Sequence, residues 1–172
     1  MKFRPAIALL SLLLATSAFA ADPALKQLEP FVGTWQCRGT MVLDGPPIPY
    51  TATVATTWVL GGNWLDVRVT QARTKENPKP YNGRAYIGYD AAAKKFVEGC
   101  VDNMGGYCTQ SSSGWDGDKL VFEGTAKGSG ADMGVRDTFV KKGANELTHA
   151  GDIQGADKKW TPTDEESCKR TK

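Results

Sequence analysis

YTATVATTWVLGGNWLDVRVTQAR, residues 50–73, is the stretch that decides how this chain folds. Tyr50 to Leu60 is rich in Thr and Val, Gly61-Gly62 interrupts the run, and Trp64 to Arg73 resumes it. In the second run Leu65, Val67 and Val69 fall on one side, with Asp66, Arg68 and Thr70 on the other. A period of two marks a strand with one face in a core and the other in water.

Outward from this pair the same rhythm continues. Gly33 to Leu43 precedes it as a first strand, turned by Asp44-Gly45-Pro46-Pro47. Thr74 to Pro80 is a polar loop expected at a rim. Gly83–Asp90, Lys95–Asn103, Tyr107–Trp115, Lys119–Lys127, Gly134–Lys141, Glu146–Gln154 and Trp160–Arg170 follow as strands. Asp116-Gly117-Asp118 is read as a hairpin turn and Gly128-Ser129-Gly130 as a flexible one. About ten short strands with a turn signal every ten or so residues predict a sandwich or barrel. No helical crossover occurs, so a parallel sheet is excluded. The last strand is the least regular, because Asp164-Glu165-Glu166 is polar on both faces.

The amino-terminal end reads differently. Lys2 and Arg4, the apolar run Ile7–Ala15 and Ala18-Phe19-Ala20 form the charged, apolar and small-residue parts of a secretory signal over residues 1–20. Cleavage there leaves 152 residues, 21–172, as one domain. That part carries 19 basic and 19 acidic residues. A neutral balance argues against nucleic acid and anionic lipid as partners. No apolar stretch suits membrane insertion. The expected location is the periplasm or the medium. Asp22 and Pro23 suit the first positions of a short helix, residues 21–32 forming a cap with Pro30 as its stop. Four cysteines, Cys37, Cys100, Cys108 and Cys168, suggest two disulfides in an exported chain.

Leu28-Glu29-Pro30-Phe31-Val32-Gly33-Thr34-Trp35 resembles the start of lipocalins and other calycins, where a short helix plugs one end of a barrel and Gly-x-Trp opens the first strand. Trp58-Val59-Leu60-Gly61-Gly62, Gly88-Tyr89-Asp90, Lys94-Lys95-Phe96-Val97, Asp102-Asn103-Met104-Gly105 and Trp115-Asp116-Gly117-Asp118 occur in this order. Together they resemble a bacterial, often exported, lipocalin-like family of unknown function. The resemblance implies an all-β, up-and-down antiparallel barrel of about ten strands, with 33–172 as the barrel, and implies no activity. The chain is also distantly similar to nitrobindin, a haem-binding barrel whose ligand His follows a Thr-Pro in the final strand. Here Thr161-Pro162 is followed by Thr163 and Asp164, so no haem or other cofactor is expected. His149, the only histidine, lies one strand earlier and reads as an ordinary strand residue.

Counting outward from Met104, Cys100 and Cys108 stand at equal offsets, which places them opposite one another in a hairpin. In a closed barrel the first and last strands are neighbours, which pairs Cys37 with Cys168.

Catalytic patterns are sparse. Ser111-Ser112-Ser113 and His149 with Asp152 supply residue types for a nucleophile and base, but no nucleophile elbow is present, and no enzyme is expected. Glu98 and Asp102 share one side of a strand and could face a pocket, though exposure to solvent or a cross-strand ion pair is the plainer reading. No metal-ligand spacing occurs. Arg68, Arg84 and Arg136 lie mid-strand, where an inward one requires a partner. The expected function is binding of a small, mostly apolar ligand in the barrel, with Trp58, Arg84, Tyr86, Asp102 and Arg136 as candidate contacts. The alternative is a structural or stress-related envelope protein with a filled barrel.

Overall fold

The computed structural model describes residues 21–42, 45–128 and 131–171. Residues 1–20, read from the sequence as a secretory signal, the end of the first predicted strand with its turn at Leu43 and Asp44, and Ser129-Gly130 lie outside the described residues. Eleven strands form one antiparallel sheet: β1 Gly33–Met41, β2 Ile48–Val59, β3 Trp64–Gln71, β4 Asn82–Asp90, β5 Lys95–Asp102, β6 Tyr107–Ser112, β7 Trp115–Asp116, β8 Lys119–Gly128, β9 Ala131–Gly143, β10 Glu146–Gln154 and β11 Trp160–Arg170. Sequential neighbours pair from β1 to β6 and from β7 to β11. β1 meets β11 and β6 meets β8, so ten strands close into a barrel and β7 stands outside the closure. Closure removes the open edges that an exposed sheet presents to other chains.

The period-two reading of β3 holds. Leu65, Val67 and Val69 oppose Trp58, Thr56 and Val54 of β2, and Leu65 is fully buried. Two local readings change. The helix, a 3₁₀ turn over Pro23–Phe31, runs through Pro30, and Asp22 caps it by accepting the Ala24 amide at 2.8 Å. Pro30 lacks the N–H that would donate to the Gln27 carbonyl in a 3₁₀ turn, and Trp115 Nε1 donates to that carbonyl instead. The predicted strand Tyr107–Trp115 breaks at Gly114, whose φ of 100° turns the chain. Trp115 therefore leaves β6 and pairs with Leu120 across β7 and β8.

The helix plugs one end of the barrel. Leu25, Leu28 and Phe31 are buried against Trp35, Leu65, Phe96, Leu120 and Leu147. Trp35 Nε1 donates to the Phe31 carbonyl at 2.9 Å. The Arg170 guanidinium lies 4.3 Å from the centre of the Trp35 ring and donates to the Pro30 and Val32 carbonyls. Trp115 stacks on Phe31 and donates to the Gln27 carbonyl at 2.8 Å. This end is thus closed by apolar burial, and its few helix carbonyls are satisfied by side chains from distant strands.

Both expected disulfides are present. Cys37–Cys168 bridges the β1–β11 seam, and Cys100–Cys108 bridges β5 and β6. Each pair occupies directly opposed positions in its ladder. No described helix is long and apolar enough to cross a membrane. The two disulfides point to a location outside the reducing cytoplasm.

Candidate functional site

Above the plug the inward positions turn polar. Side-chain alternation in β10 runs from buried Leu147 to His149. In β11 it runs from buried Cys168 to Glu166 and Asp164. The same alternation brings Glu98 of β5, Gln110 of β6 and Asp137 of β9 to this level, Glu98 facing Gln110 in the ladder. His149 Nε2 lies 2.9 Å from Asp137 Oδ1, and its Nδ1 lies 3.4 Å from Asp164 Oδ2 and 3.7 Å from Glu166 Oε1. Gln110 Nε2 donates to the other oxygen of Asp137. Tyr50 OH donates to Glu166 Oε2 at 3.0 Å. One imidazole thus faces four carboxyls. Among the described residues no Lys or Arg forms an ion pair with any of those four.

The electrostatics follow from burial and crowding. Burial alone works against a charged His149, yet the hydrogen bond and charge of Asp137, with Asp164 and Glu166 beyond, push it up to about 9. Burial, then repulsion by Asp137, pushes the Glu98 carboxyl up to about 8. Asp137 is held below the usual carboxylate range: burial raises it, but the His149 hydrogen bond and charge and the Gln110 hydrogen bond outweigh that. Burial raises Asp164 and Glu166. At neutral pH the ring therefore holds an imidazolium, ionised Asp137 and protonated Glu98.

The ring lies between strands but is not sealed. The side chains of Asp137 and Asp164 keep 28% and 27% of their surface accessible, and His149 keeps 17%. The inward apolar residues at and above this level, Val54, Val67, Val69, Val135 and Ile153, are likewise only partly buried. By contrast Leu28, Leu65, Leu120 and Phe122 are wholly buried. Phe139 stacks on the His149 ring at 4.8 Å and touches both regions. At the mouth, Gln71 Oε1 accepts from Asn77 Nδ2 and the Tyr81 amide, each at 3.1 Å, which ties the loop after β3 across the opening. Gly83 has no side chain there, and the Tyr81 ring occupies the space a β-carbon would take. Burial and the charges of Asp102 and Asp137 push the Tyr81 hydroxyl up to about 12.

The candidate contacts chosen from the sequence scatter. Trp58 points inward, but at the plug, where Nε1 donates to Glu29. Arg84 points outward. Its guanidinium holds Asp66 at 2.7 and 2.9 Å while Arg68 holds the same carboxylate at 2.8 Å. The two guanidiniums cover Asp66 on the outer wall, and the Arg84 hydrogen bond leads in lowering its pKa. Tyr86 also faces out, beneath Arg84. Both line an open groove of about 780 Å³ on the outer surface of β4, β5 and β6, with Val97, Val101 and Tyr107. Arg136 faces out too, bonded to Asp152 at 2.8 Å and lying over Trp160. Asp102 faces in but is consumed by its turn, accepting the Met104 and Gly106 amides at 2.7 and 2.9 Å. None of the five reaches the ring. Alternation puts Arg84 and Arg136 on the outer face, so neither needs a partner inside. Asp152, considered beside His149, pairs outward with Arg136 instead, because it stands three residues from inward His149, on the opposite face of β10 and directly across from Arg136 in the ladder. Glu98, read as exposed or ion-paired, points inward with neither role.

No curated protein sequence matches the chain. Among solved structures, Rv2717c from M. tuberculosis is similar, at 14% identity and a TM-score of 0.70, covering 89% of this chain and all of that one. A DUF3598 protein of unknown function, Npun_R4044 from Nostoc punctiforme PCC 73102, matches at 10% identity and a TM-score of 0.42, covering 84% of this chain and 48% of that one. At these identities the likeness concerns the fold alone. The profile of the family described as "Protein of unknown function (DUF1579)" matches residues 22–170, and the chain belongs to that family.

Proposed function

We propose that this protein is an exported binding module that holds a small organic ligand in the barrel lumen, an apolar body against the valines and a polar head at the ring. The observation that carries this reading is the contrast in sealing. The plug is close-packed, whereas the inward side chains from Val54 to Asp164 still touch water. A filled, purely structural barrel has no use for a half-wet interior of carboxyls, whose burial costs stability. Such groups persist where they bind something. The partly exposed Phe139 ring and the half-buried valines, beside a few convergent polar groups, have the make-up of small-molecule sites. Binding rather than turnover is favoured, since no hydroxyl or thiol nucleophile hydrogen-bonds His149 among the described residues. The leader-like pattern of residues 1–20 and the disulfides support export.

Native mass spectrometry of protein purified from its own host is the test. An adduct is expected that survives desalting and is absent from Val69→Trp, which fills the lumen from β3. Bare protein alone, with Val69→Trp folding at least as stably as the parent, would contradict the reading.

A further inference from the structure

The ring has an imbalance that its own residues do not correct. Acceptors are abundant: the carboxyls of Glu98, Asp137, Asp164 and Glu166 and the amide oxygen of Gln110. Donors are fewer: the His149 ring, the Tyr50 hydroxyl, the Gln110 amide, the single O–H of Glu98 while it is protonated, and Thr163, which is spent on its neighbour Asp164 at 3.0 Å. Gln110 carries the sharpest sign. It is only 6% exposed, and its Oε1 is a buried oxygen without a hydrogen-bond partner. Rotating the amide does not help, because Oε1 would then face the carboxylate of Asp137. An orphaned buried acceptor is costly and calls for a donor from outside the protein. Glu98, opposite Gln110 in the ladder, makes no hydrogen bond or ion pair to the described residues either.

A point cation does not suit this layout. Three or more ligand oxygens of the ring never come within metal-binding distance of one another. The one such group of His, Cys, Asp and Glu among the described residues, Cys37, Glu166 and Cys168, has both sulfurs locked in a disulfide. The acceptors are spread around a barrel wall, which suits a head group that projects several N–H donors in different directions. Phe122 and Phe139 below, and the valines above, leave an apolar environment for whatever carries that head.

We infer that the lumen selects an organic cation, a small amine or guanidine whose N–H groups serve Gln110 Oε1 and the carboxyls of Glu98, Asp137, Asp164 and Glu166 while its hydrocarbon part lies on Phe139 and the half-buried valines. This rests on the lumen-binding reading above and gives it a ligand class. With Glu98 protonated, the one imidazolium still faces three further carboxyls, Asp137, Asp164 and Glu166, and a cation bound beside Glu98 would favour its ionised form. An anion has no cationic partner there other than His149, both of whose ring nitrogens are already engaged.

Isothermal titration calorimetry of the full mature chain separates the possibilities with four probes of matched size and one metal: n-hexylammonium, phenylguanidinium, n-hexanol, hexanoate and calcium. The two organic cations are expected to bind, with hexanol and hexanoate at least tenfold weaker. Preference between the cations tells amine from guanidine. Glu98→Gln and Glu166→Gln should each weaken the cations at least tenfold while circular dichroism stays unchanged, and Glu123→Gln on the outer wall should not. Val69→Trp should abolish binding. If hexanol or hexanoate binds as well as the cations and Val69→Trp removes it, the charge inference fails and the lumen reading stands. Calcium binding that Glu98→Gln removes, with no organic cation bound, overturns the inference in favour of a metal. If no probe binds the parent, the inference fails. A bare native mass as well would take the lumen reading with it.

Discussion

The two ends of this barrel are built on opposite principles. At the plug, Leu28, Trp35, Leu65 and Leu120 exclude water, and distant side chains such as Arg170 satisfy the exposed helix carbonyls. Further along the barrel wall, on β5, β9, β10 and β11, Glu98, Asp137, His149, Asp164 and Glu166 occupy inward positions and keep contact with water. The alternation of β10 and β11 is unbroken from one region to the other up to Gly151. What changes is only which residue type stands at the inward position. One region therefore supplies the folding energy and the other is released from that task, the usual division between a rigid scaffold and the site it carries.

The disulfides give the largest expected separation. Cys37–Cys168 closes a span of 131 residues close to the plug, and Cys100–Cys108 a span of 8 below the mouth. Loop-closure entropy assigns about 5 kcal/mol to the first and about 2.5 kcal/mol to the second. Paired Ser substitutions followed by denaturant titration should show the seam bond costing about twice as much. Equal losses would mean that the seam is not where the barrel is secured.

Core truncation is next. Trp35→Ala should cost about 3–5 kcal/mol in chemical denaturation. Glu98→Gln, two layers away, should cost under about 1 kcal/mol or stabilise, because it relieves a crowded carboxyl. A Glu98→Gln loss as large as that of Trp35→Ala would show that the ring is part of the folding core.

The pH dependence should be gentler and one-sided. Glu98 ionises near 4.5 when unfolded and at about 8 when folded. Across that window the native state holds a proton that the unfolded chain has released, so raising the pH favours unfolding. His149, raised from 6.5 to about 9, acts in the same sense: the stability of its charged form is complete below 6.5 and lost as the pH rises through 9. The melting temperature should fall between pH 6.5 and 9, and Glu98→Gln should flatten the fall. A rise over that interval would contradict both assignments.

Much of the barrel was legible in the sequence. The period of two in Trp64–Gln71 and the turn glycines marked the strands, the likeness of Leu28–Trp35 and the later motifs to calycins implied their closure, and the cysteine offsets around Met104 matched the ladder. The site was not legible, because the inward face was assigned to no strand beyond β3. A chain of inference was nonetheless present. Trp35 fills the plug, so Cys37, two residues on, also points inward. Its bond to Cys168 carries that orientation to β11 and hence to Glu166 and Asp164. Reading Asp164-Glu165-Glu166 as polar on both faces passed over this link. Leu147 similarly marks His149 as inward. Arg84 and Arg136 drew attention as mid-strand charges, but their partners Asp66 and Asp152 lie beside them on the outer wall, a pairing visible only once the register is known.

His149 is the chain's sole histidine, so its titration can be followed without interference. Its imidazole resonances, recorded by nuclear magnetic resonance from pH 5 to 10, report directly on whether the lumen is an acidic ring. An imidazole protonated on both nitrogens at neutral pH, with a midpoint near 9, is expected. A midpoint at or below the ordinary 6.5 would contradict it, placing His149 in an apolar pocket without its carboxylate partners.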